Sequence, residues 1–594
     1  MKDLMKYTAI AIVLSISAAC NFLDPEHDNT RDEDILDDAA YFCGPLNAVY
    51  NNLPSVFDVQ MDVLTDNAVD RTQTGNYYRA ATGAMSPNLN PNDVWASAYS
   101  NIRLLNIFLS RMVLNDKHPY KTPVAFFAFT NDAAYTNNLN YFYRLKGEAF
   151  GLRAWWMLKL MYTYAGESTD GQLLGVPIVG DAILDQSLDI ADYPRASFDD
   201  CIKCIVDDCD SALVVGKLPN IYAGTDLAYG SAFRSHMSGA AVKAVKAKAL
   251  LLAASPAFNR TGDVTKWQAA AQAAYDAIAA LGTVSATAPA WQARDAYYFS
   301  GLSNNENAVY DVVFRGKYVT GNNALETDNY PAGIYGNATV NVSQNFVDAF
   351  TDNQGYPIAE STSYNPAVPY AGRDARLSQF VACNGYTYAV SGKYSYTVDI
   401  SENGYDTNNT LNKGSRSGYY LLKTLRPTQV SLMAGNTQST PRANILIGLP
   451  DMLLMFAEAS NEAWGPTTAG PGMAIDAQTA LKRILTRDSG NSSMDTYLTT
   501  VIGTDQAKFR DYVRNQRRIE LAFEGHYYYD LRRWYAADAA WQDKLNVTVY
   551  GTSYNSVSGY SKIELEKRKF TSPWTPIPYS EVYNGGVKQN KGWE

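Results

Sequence analysis

The chain has 594 residues and a formal net charge of -10, with 60 acidic against 50 basic side chains. That balance argues against nucleic acid, because phosphate contacts require clustered Lys and Arg; length alone would allow several domains. The 43 Tyr and 10 Trp outweigh the 21 Phe, which favours rings with a polar handle, and such rings suit sugars by stacking on C–H faces while bonding to hydroxyls.

In chain order, Lys2 and Lys6 precede an apolar run from Tyr7 to Ile16, followed by Ser17-Ala18-Ala19-Cys20. The run is about half the ~20 apolar residues that a spanning helix needs, and with its small-residue end it reads as an export signal over residues 1–19. Cys20 then stands first in the mature chain. It resembles the lipobox cysteine of bacterial lipoproteins, with Ser17 in place of the usual leucine, which implies acylation of the thiol and a membrane contact through that lipid anchor only. Residues 20–34 include Asp24, Glu26, Asp28, Asp32, Glu33 and Asp34, too acidic and too poor in apolar residues to fold alone, and they read as a solvated tether. They also resemble a surface-export signal.

The cysteines beyond Cys20 are Cys43, Cys201, Cys204, Cys209 and Cys383. An odd number implies no disulfide framework. Cys201-x-x-Cys204 with Cys209 lies in a helical pattern without nearby histidines or a second CxxC, so neither zinc nor any other cofactor is expected.

Helical patterns follow in pairs: Ile35 to Leu53 with Val94 to Val113, Asn140 to Tyr164 with Phe198 to Val215, Ala240 to Ala254 with Thr265 to Leu281, and Asp451 to Trp464 with Ala474 to Thr486. A further helix is expected from about Ala507 to Phe523. In the third pair Val242, Val245, Ala249 and Leu252 form a stripe, so that helix is expected to bury one side. Paired helices with small residues at their contacts resemble tetratricopeptide repeats, without the regular 34-residue period. Between Gly282 and Leu449 the composition turns to Gly, Asn, Thr, Ser and Tyr with short β-like runs at Ala308 to Phe314, Tyr386 to Val390 and Tyr394 to Ile400. This is an insertion on the scaffold, of the kind on which binding residues gather. The expected division is therefore scaffold over 35–281, Tyr-rich insert over 282–449, and scaffold again over 450–594.

The stretch Arg517-Arg518-Ile519-Glu520-Leu521-Ala522-Phe523-Glu524-Gly525-His526, continuing through Asp530 to Arg533 and Trp534, is a helix with charges spaced for i,i+3 pairs, Arg517 with Glu520 and Asp530 with Arg533. Glu520 and Glu524 could be read as a glycosidase carboxylate pair, but an ion-pair network tying helices together is the plainer account. The four histidines form no HExxH, and the sequence has no nucleophile elbow, so metal or serine chemistry has little support. The stretch resembles the signature of the SusD/RagB family of outer-membrane nutrient-binding lipoproteins. Leu145-Lys146-Gly147-Glu148-Ala149-Phe150 with Trp155-Trp156, Leu252-Ala253-Ala254-Ser255-Pro256, Asn345-Phe346-Val347-Asp348-Ala349-Phe350, Arg373-Asp374-Ala375-Arg376-Leu377, Leu454-Met455-Phe456-Ala457-Glu458-Ala459, and Pro576-Ile577-Pro578 with Gln589-Asn590-Lys591-Gly592-Trp593 are similar to further family motifs, in family order. Lys591 and Trp593 replace the family's Pro and Tyr.

The resemblance implies a mainly α fold, a right-handed superhelix of about four tetratricopeptide-like helix pairs with an irregular loop- and β-containing insert. It also implies capture without catalysis. The protein would sit at the extracellular face of the outer membrane as a lid on a SusC-like TonB-dependent barrel, holding an oligosaccharide or, in some homologues, a peptide. Ligand contacts in the family come from loops near the first helix pair and from the insert. Here that suggests Asp66, Asp70 and Arg71 bonding to hydroxyls, Trp95 stacking, and Tyr298, Tyr330 and Tyr335 as a second wall.

Overall fold

A computed structural model describes residues 38–594 except 118–120, 129–130, 182–192, 235, 283–310, 392–393, 408–413, 488–492 and 584. Helix α1 (Gly44–Asn51) packs on α2 (Trp95–Arg111), α3 (Asp132–Tyr164) on α4 (Phe198–Val214), α5 (Gly239–Ala254) on α6 (Val264–Ala279), and α7 (Leu449–Trp464) on α8 (Ala477–Leu485). Contacts of α2 with α3, α4 with α5 and α6 with α7 join these four pairs into one continuous stack. Helix α9 (Gln506–Glu520) lies against α7, and α10 (Tyr527–Tyr535) follows it. Among the described residues no helix is long and apolar enough to cross a membrane.

The starts of these helices are written in their caps. Side chains of Asn131, Ser197, Ser238, Asp263, Asp476 and Asp505 accept the otherwise orphaned first-turn N–H groups of α3, α4, α5, α6, α8 and α9. Capped by Asn131, α3 begins at Asp132, eight residues before the expected Asn140, because Thr136, Asn137 and Asn138 interrupt the apolar residues of its first two turns. Close approach explains Gly147 in α3: a Cβ on Gly216, after α4, would lie 2.1 Å from the Gly147 Cα. In α6, Ala270, Ala271, Ala274 and Ala277 are buried, which admits α5 on one side and α7 on the other. As the stripe implies, α5 leaves one narrow edge half-buried, at Lys243, Lys246 and Leu250, and buries the rest. Even Lys248 is only 6% exposed, because its ammonium pairs with Asp451 of α7.

The insert is built from short antiparallel ladders. Val312–Arg315 pairs with Ile445–Gly448, and Thr387–Val390 forms a hairpin with Tyr394–Thr397 in the register Tyr394↔Val390, Thr397↔Thr387. Its apolar core includes Leu325, Phe346, Phe350, Phe380 and Leu421, yet also takes Phe57 and Val63 from before α2 and Ile519, Ala522 and Phe523 from the end of α9. A long hairpin near the carboxyl end, Thr548–Asn555 with Gly559–Lys567, is a feature the helical reading of 450–594 did not include.

A buried ionic hub joins the last two helix pairs to α9 and α10. Arg517 donates to Asp451 and Asp530, both at 2.8 Å, and not to Glu520. Arg533 donates to Asp530 at 2.7 Å and grips Glu458 with both Nη atoms at 2.7 and 2.6 Å, and the Trp534 indole N–H donates to the same carboxylate at 2.7 Å. Arg533 also donates to the Ser255 hydroxyl just after α5. All five free cysteines in the described residues are unpaired by disulfides.

Arg533→Ala strands two buried carboxylates and is expected to cost about 3–5 kcal/mol, measurable as a lower urea midpoint. The ion-pair neighbours, Arg533 foremost, outweigh the desolvation of Glu458 and hold its carboxyl down at about 2. A depressed carboxylate contributes stability that is complete above its unfolded pKa of about 4.3 and is lost as pH falls toward 2. Melting temperature measured between pH 5 and 2 should therefore fall less steeply in Glu458→Gln, from a lower starting point, than in the native protein.

Candidate functional site

The short strand Ala68–Asp70 runs antiparallel to Val340–Val342, Ala68 opposite Val342 and Asp70 opposite Val340. This brings the loop after residue 70 beside the loop that ends at residue 339. Asp70 turns its own loop: one carboxylate oxygen accepts from the Thr72 N–H and hydroxyl, each at 2.7 Å, and from the Gln73 N–H at 3.2 Å. Arg71 ties the two loops together, its backbone N–H donating to the Thr339 carbonyl at 3.0 Å and its Nε to the Asn337 carbonyl at 2.8 Å.

Tyr330 and Tyr335 do opposite things. Tyr330 is fully buried, its ring edge-on to Tyr388 and its hydroxyl donating to the Val430 carbonyl at 3.3 Å. Three residues on, Gly333 lies under the Tyr396 ring, where a Cβ would come within 2.1 Å. With the loop pinned at these two points, Tyr335 adopts φ +70° and remains 57% exposed. A bulky side chain in the left-handed region is strained and persists only where its surroundings over-determine it, as at ligand clamps. Tyr394 stands nearby; its hydroxyl is pushed up by burial first and by Tyr335 second. Tyr394 belongs to this surface and was missed in the sequence, where it reads only as a strand residue.

The remaining expected site residues go elsewhere. Trp95 is 3% exposed and packs between Tyr99 and Tyr164, with centroids at 5.2 and 5.1 Å, which makes it a core residue of α2 with no ring face toward solvent. Asp66 pairs with Arg518 at 3.0 Å, and Asp70, 3% exposed, is consumed by its turn, so neither carboxylate points freely at a ligand. Tyr298 lies outside the described residues, as does Cys20. Of the expected residues, Tyr335 is the exposed ring, and Arg71 is bonded to the same loop at Asn337 and Thr339.

The carboxylates considered for hydrolysis are each tied into other pairs. Glu520 accepts from Arg376 at 3.1 Å and Arg487 at 3.2 Å, while Glu524 accepts from Lys423 at 2.7 Å. Among the described residues no group of three or more His, Cys, Asp or Glu could hold a metal ion.

Comparison with known proteins places this geometry in context. The chain is similar to a SusD-like protein from Bacteroides fragilis at 19% identity and a TM-score of 0.67, covering 95% of this chain and 99% of that one. A SusD-like carbohydrate binding protein from the same organism matches at 19% identity and a TM-score of 0.66, over 92% and 98% of the two chains. A laminarin binding SusD-like protein matches at 16% identity and a TM-score of 0.54, over 93% and 99%. Among curated proteins no relative matches. The model of the SusD family matches residues 260–593, a span that holds the insert, the hub residues from Asp451 to Trp534 and the closing Pro576-Ile577-Pro578 stretch, and the chain belongs to the SusD family.

Proposed function

We propose that this protein is a lipoprotein of the outer cell surface, anchored through Cys20, that captures an oligosaccharide and passes it to a SusC-like TonB-dependent barrel without cleaving it. The observation that carries the reading is Tyr335: an exposed ring held in a strained backbone conformation, on a loop to which Arg71 is bonded two residues further on, at the Asn337 carbonyl. An aromatic face and a guanidinium offer a sugar both stacking and donors. The fold supports the same reading, since two of the similar structures are described as binding carbohydrate or laminarin.

In this reading residues 35–281 and 450–594 form the scaffold that faces the barrel, and 282–449 carries the ligand-bearing loops. The acidic stretch 20–34 is the tether that lets the body swing above the barrel. Capture without catalysis is supported by the ion pairs of Glu520 with Arg376 and Arg487 and of Glu524 with Lys423, which commit the two carboxylates considered for hydrolysis to buried cations.

Two measurements test it. On an oligosaccharide panel followed by titration calorimetry, Tyr335→Ala should weaken the tightest sugar about tenfold, as loss of one ring contact worth about 1 kcal/mol or more implies, with melting unchanged; Trp95→Ala should instead lower the melting temperature. Binding of peptides and of no sugar overturns the glycan assignment. In cells fed a palmitate analogue, Cys20→Ser should abolish labelling and release the protein from membranes, and retention of the label in that variant overturns the anchor.

A further inference from the structure

A cleft of about 630 Å³ opens between the helical stack and α10 and shares no residue with the Tyr335 surface. The volume falls in the range of small-ligand sites. Its mouth carries the exposed residues Asn52, Asp58 and Ser97, and its floor includes Trp155, Trp156 and Tyr529, each less than 9% exposed. Such a wall of rings below a polar rim is built for a ligand with both kinds of surface.

The charges on this wall are unequally matched. Lys248 and Arg517 both meet Asp451, Arg517 also meets Asp530, and Glu524 meets Lys423. His526 is held well below its usual pKa, by burial first and then by the cations Lys248 and Arg517, so it is neutral at pH 7. Asp58 accepts the Tyr77 hydroxyl at 2.5 Å. Lys159 is different. Its ammonium lies 6.0 Å from the Trp155 ring centroid and 5.7 Å from that of Tyr529; Asp58, bonded to Tyr77, attracts it across the cleft, but among the described residues it makes no hydrogen bond or close ion pair. The Trp156 indole N–H, 6% exposed, is likewise without a partner. Lys159 is half-buried on the cleft wall, and its ammonium is placed to give an acidic oxygen a charge-assisted hydrogen bond.

We propose that this cleft is a second binding site, which takes a uronate residue of an acidic oligosaccharide with its carboxylate on Lys159 and its C–H face against the aromatic wall. The site is independent of the Tyr335 surface, so either can fail without the other.

The test uses the mature full-length chain and two probes, trigalacturonate and a neutral galactotriose, in titration calorimetry. Trigalacturonate should bind at least about tenfold more tightly, the worth of one charge-assisted hydrogen bond. Lys159→Met should remove that advantage and Tyr335→Ala should leave it. Ser97→Trp, an exposed position at the mouth, blocks access without touching the floor and should abolish binding of the uronide even if Lys159→Met folds poorly. Equal binding of the two sugars, no binding of either, or uronide affinity that survives both Lys159→Met and Ser97→Trp overturns the proposal.

Discussion

The grip of Arg533 on Glu458 and Asp530, extended through Arg517 to Asp451 and Lys248, is the constraint on which the rest of the structure depends. Alanine-rich faces on α5 and α6 allow close packing but offer little relief to fix how far one helix slides along another. Ionic groups supply that register, because a slip of one turn would leave several buried charges unmatched. The desolvation cost of such a hub is high, so its gain lies in a single arrangement of the last helix pairs more than in net stability. It also explains why the family motifs fall where they do: Ser255, Glu458, Arg517, Asp530, Arg533 and Trp534 are remote in sequence and adjacent in space.

From the hub the constraint passes to the insert through the end of α9. Phe523 has φ +63°, a conformation held by its N–H donating to Asp62 at 2.9 Å, and its ring enters the insert's core against Phe346. Lys423 of the insert caps the same end by donating to the carbonyls of Glu520 and Ala522 at 2.6 and 2.8 Å. Arg373 does comparable work inside the insert, donating to the carbonyls of Val347, Phe350, Thr351 and Pro369. A loop-rich region with few ladder bonds is thus fixed to a helical scaffold by buried cations that satisfy its carbonyls.

Much of the scaffold was legible because helices announce themselves by periodicity and caps, and because most of the ionic hub, though not Lys248 or Asp451, is made of motif residues. The hairpin Thr548–Asn555 with Gly559–Lys567 was also readable in principle, from alternation in Thr548-Val549-Tyr550 and a turn at Ser558-Gly559, but the preceding helices dominated the reading. The site was harder. Trp95 lies on the stripe of Ile102, Leu105 and Phe108, a pattern that argues for the core once it is weighed as a helix face. Tyr330 and Tyr335 are five residues apart in one glycine-rich loop, and nothing local tells peg from platform; Val430, Tyr388 and Tyr396, distant in sequence, make the difference.

That distinction bears on what the tyrosine surplus means. Tyr99, Tyr222, Tyr330 and Tyr512 are buried and reach backbone carbonyls of Pro177, Met237, Val430 and Gly355. A long, stiff side chain with a terminal hydroxyl spans from the core to a distant stretch of backbone and satisfies one of its carbonyls, at little entropy cost. Many of the tyrosines therefore hold loops in place, and abundance alone is a weak argument for sugar binding. The stronger argument is indirect: loops pinned in this way present the few exposed rings already ordered. A preorganised platform spares a ligand the cost of fixing it. Tyr335 is strained and exposed because Tyr330 is buried and bonded, and the pegs are in this sense as much a part of ligand capture as the ring that would touch the sugar.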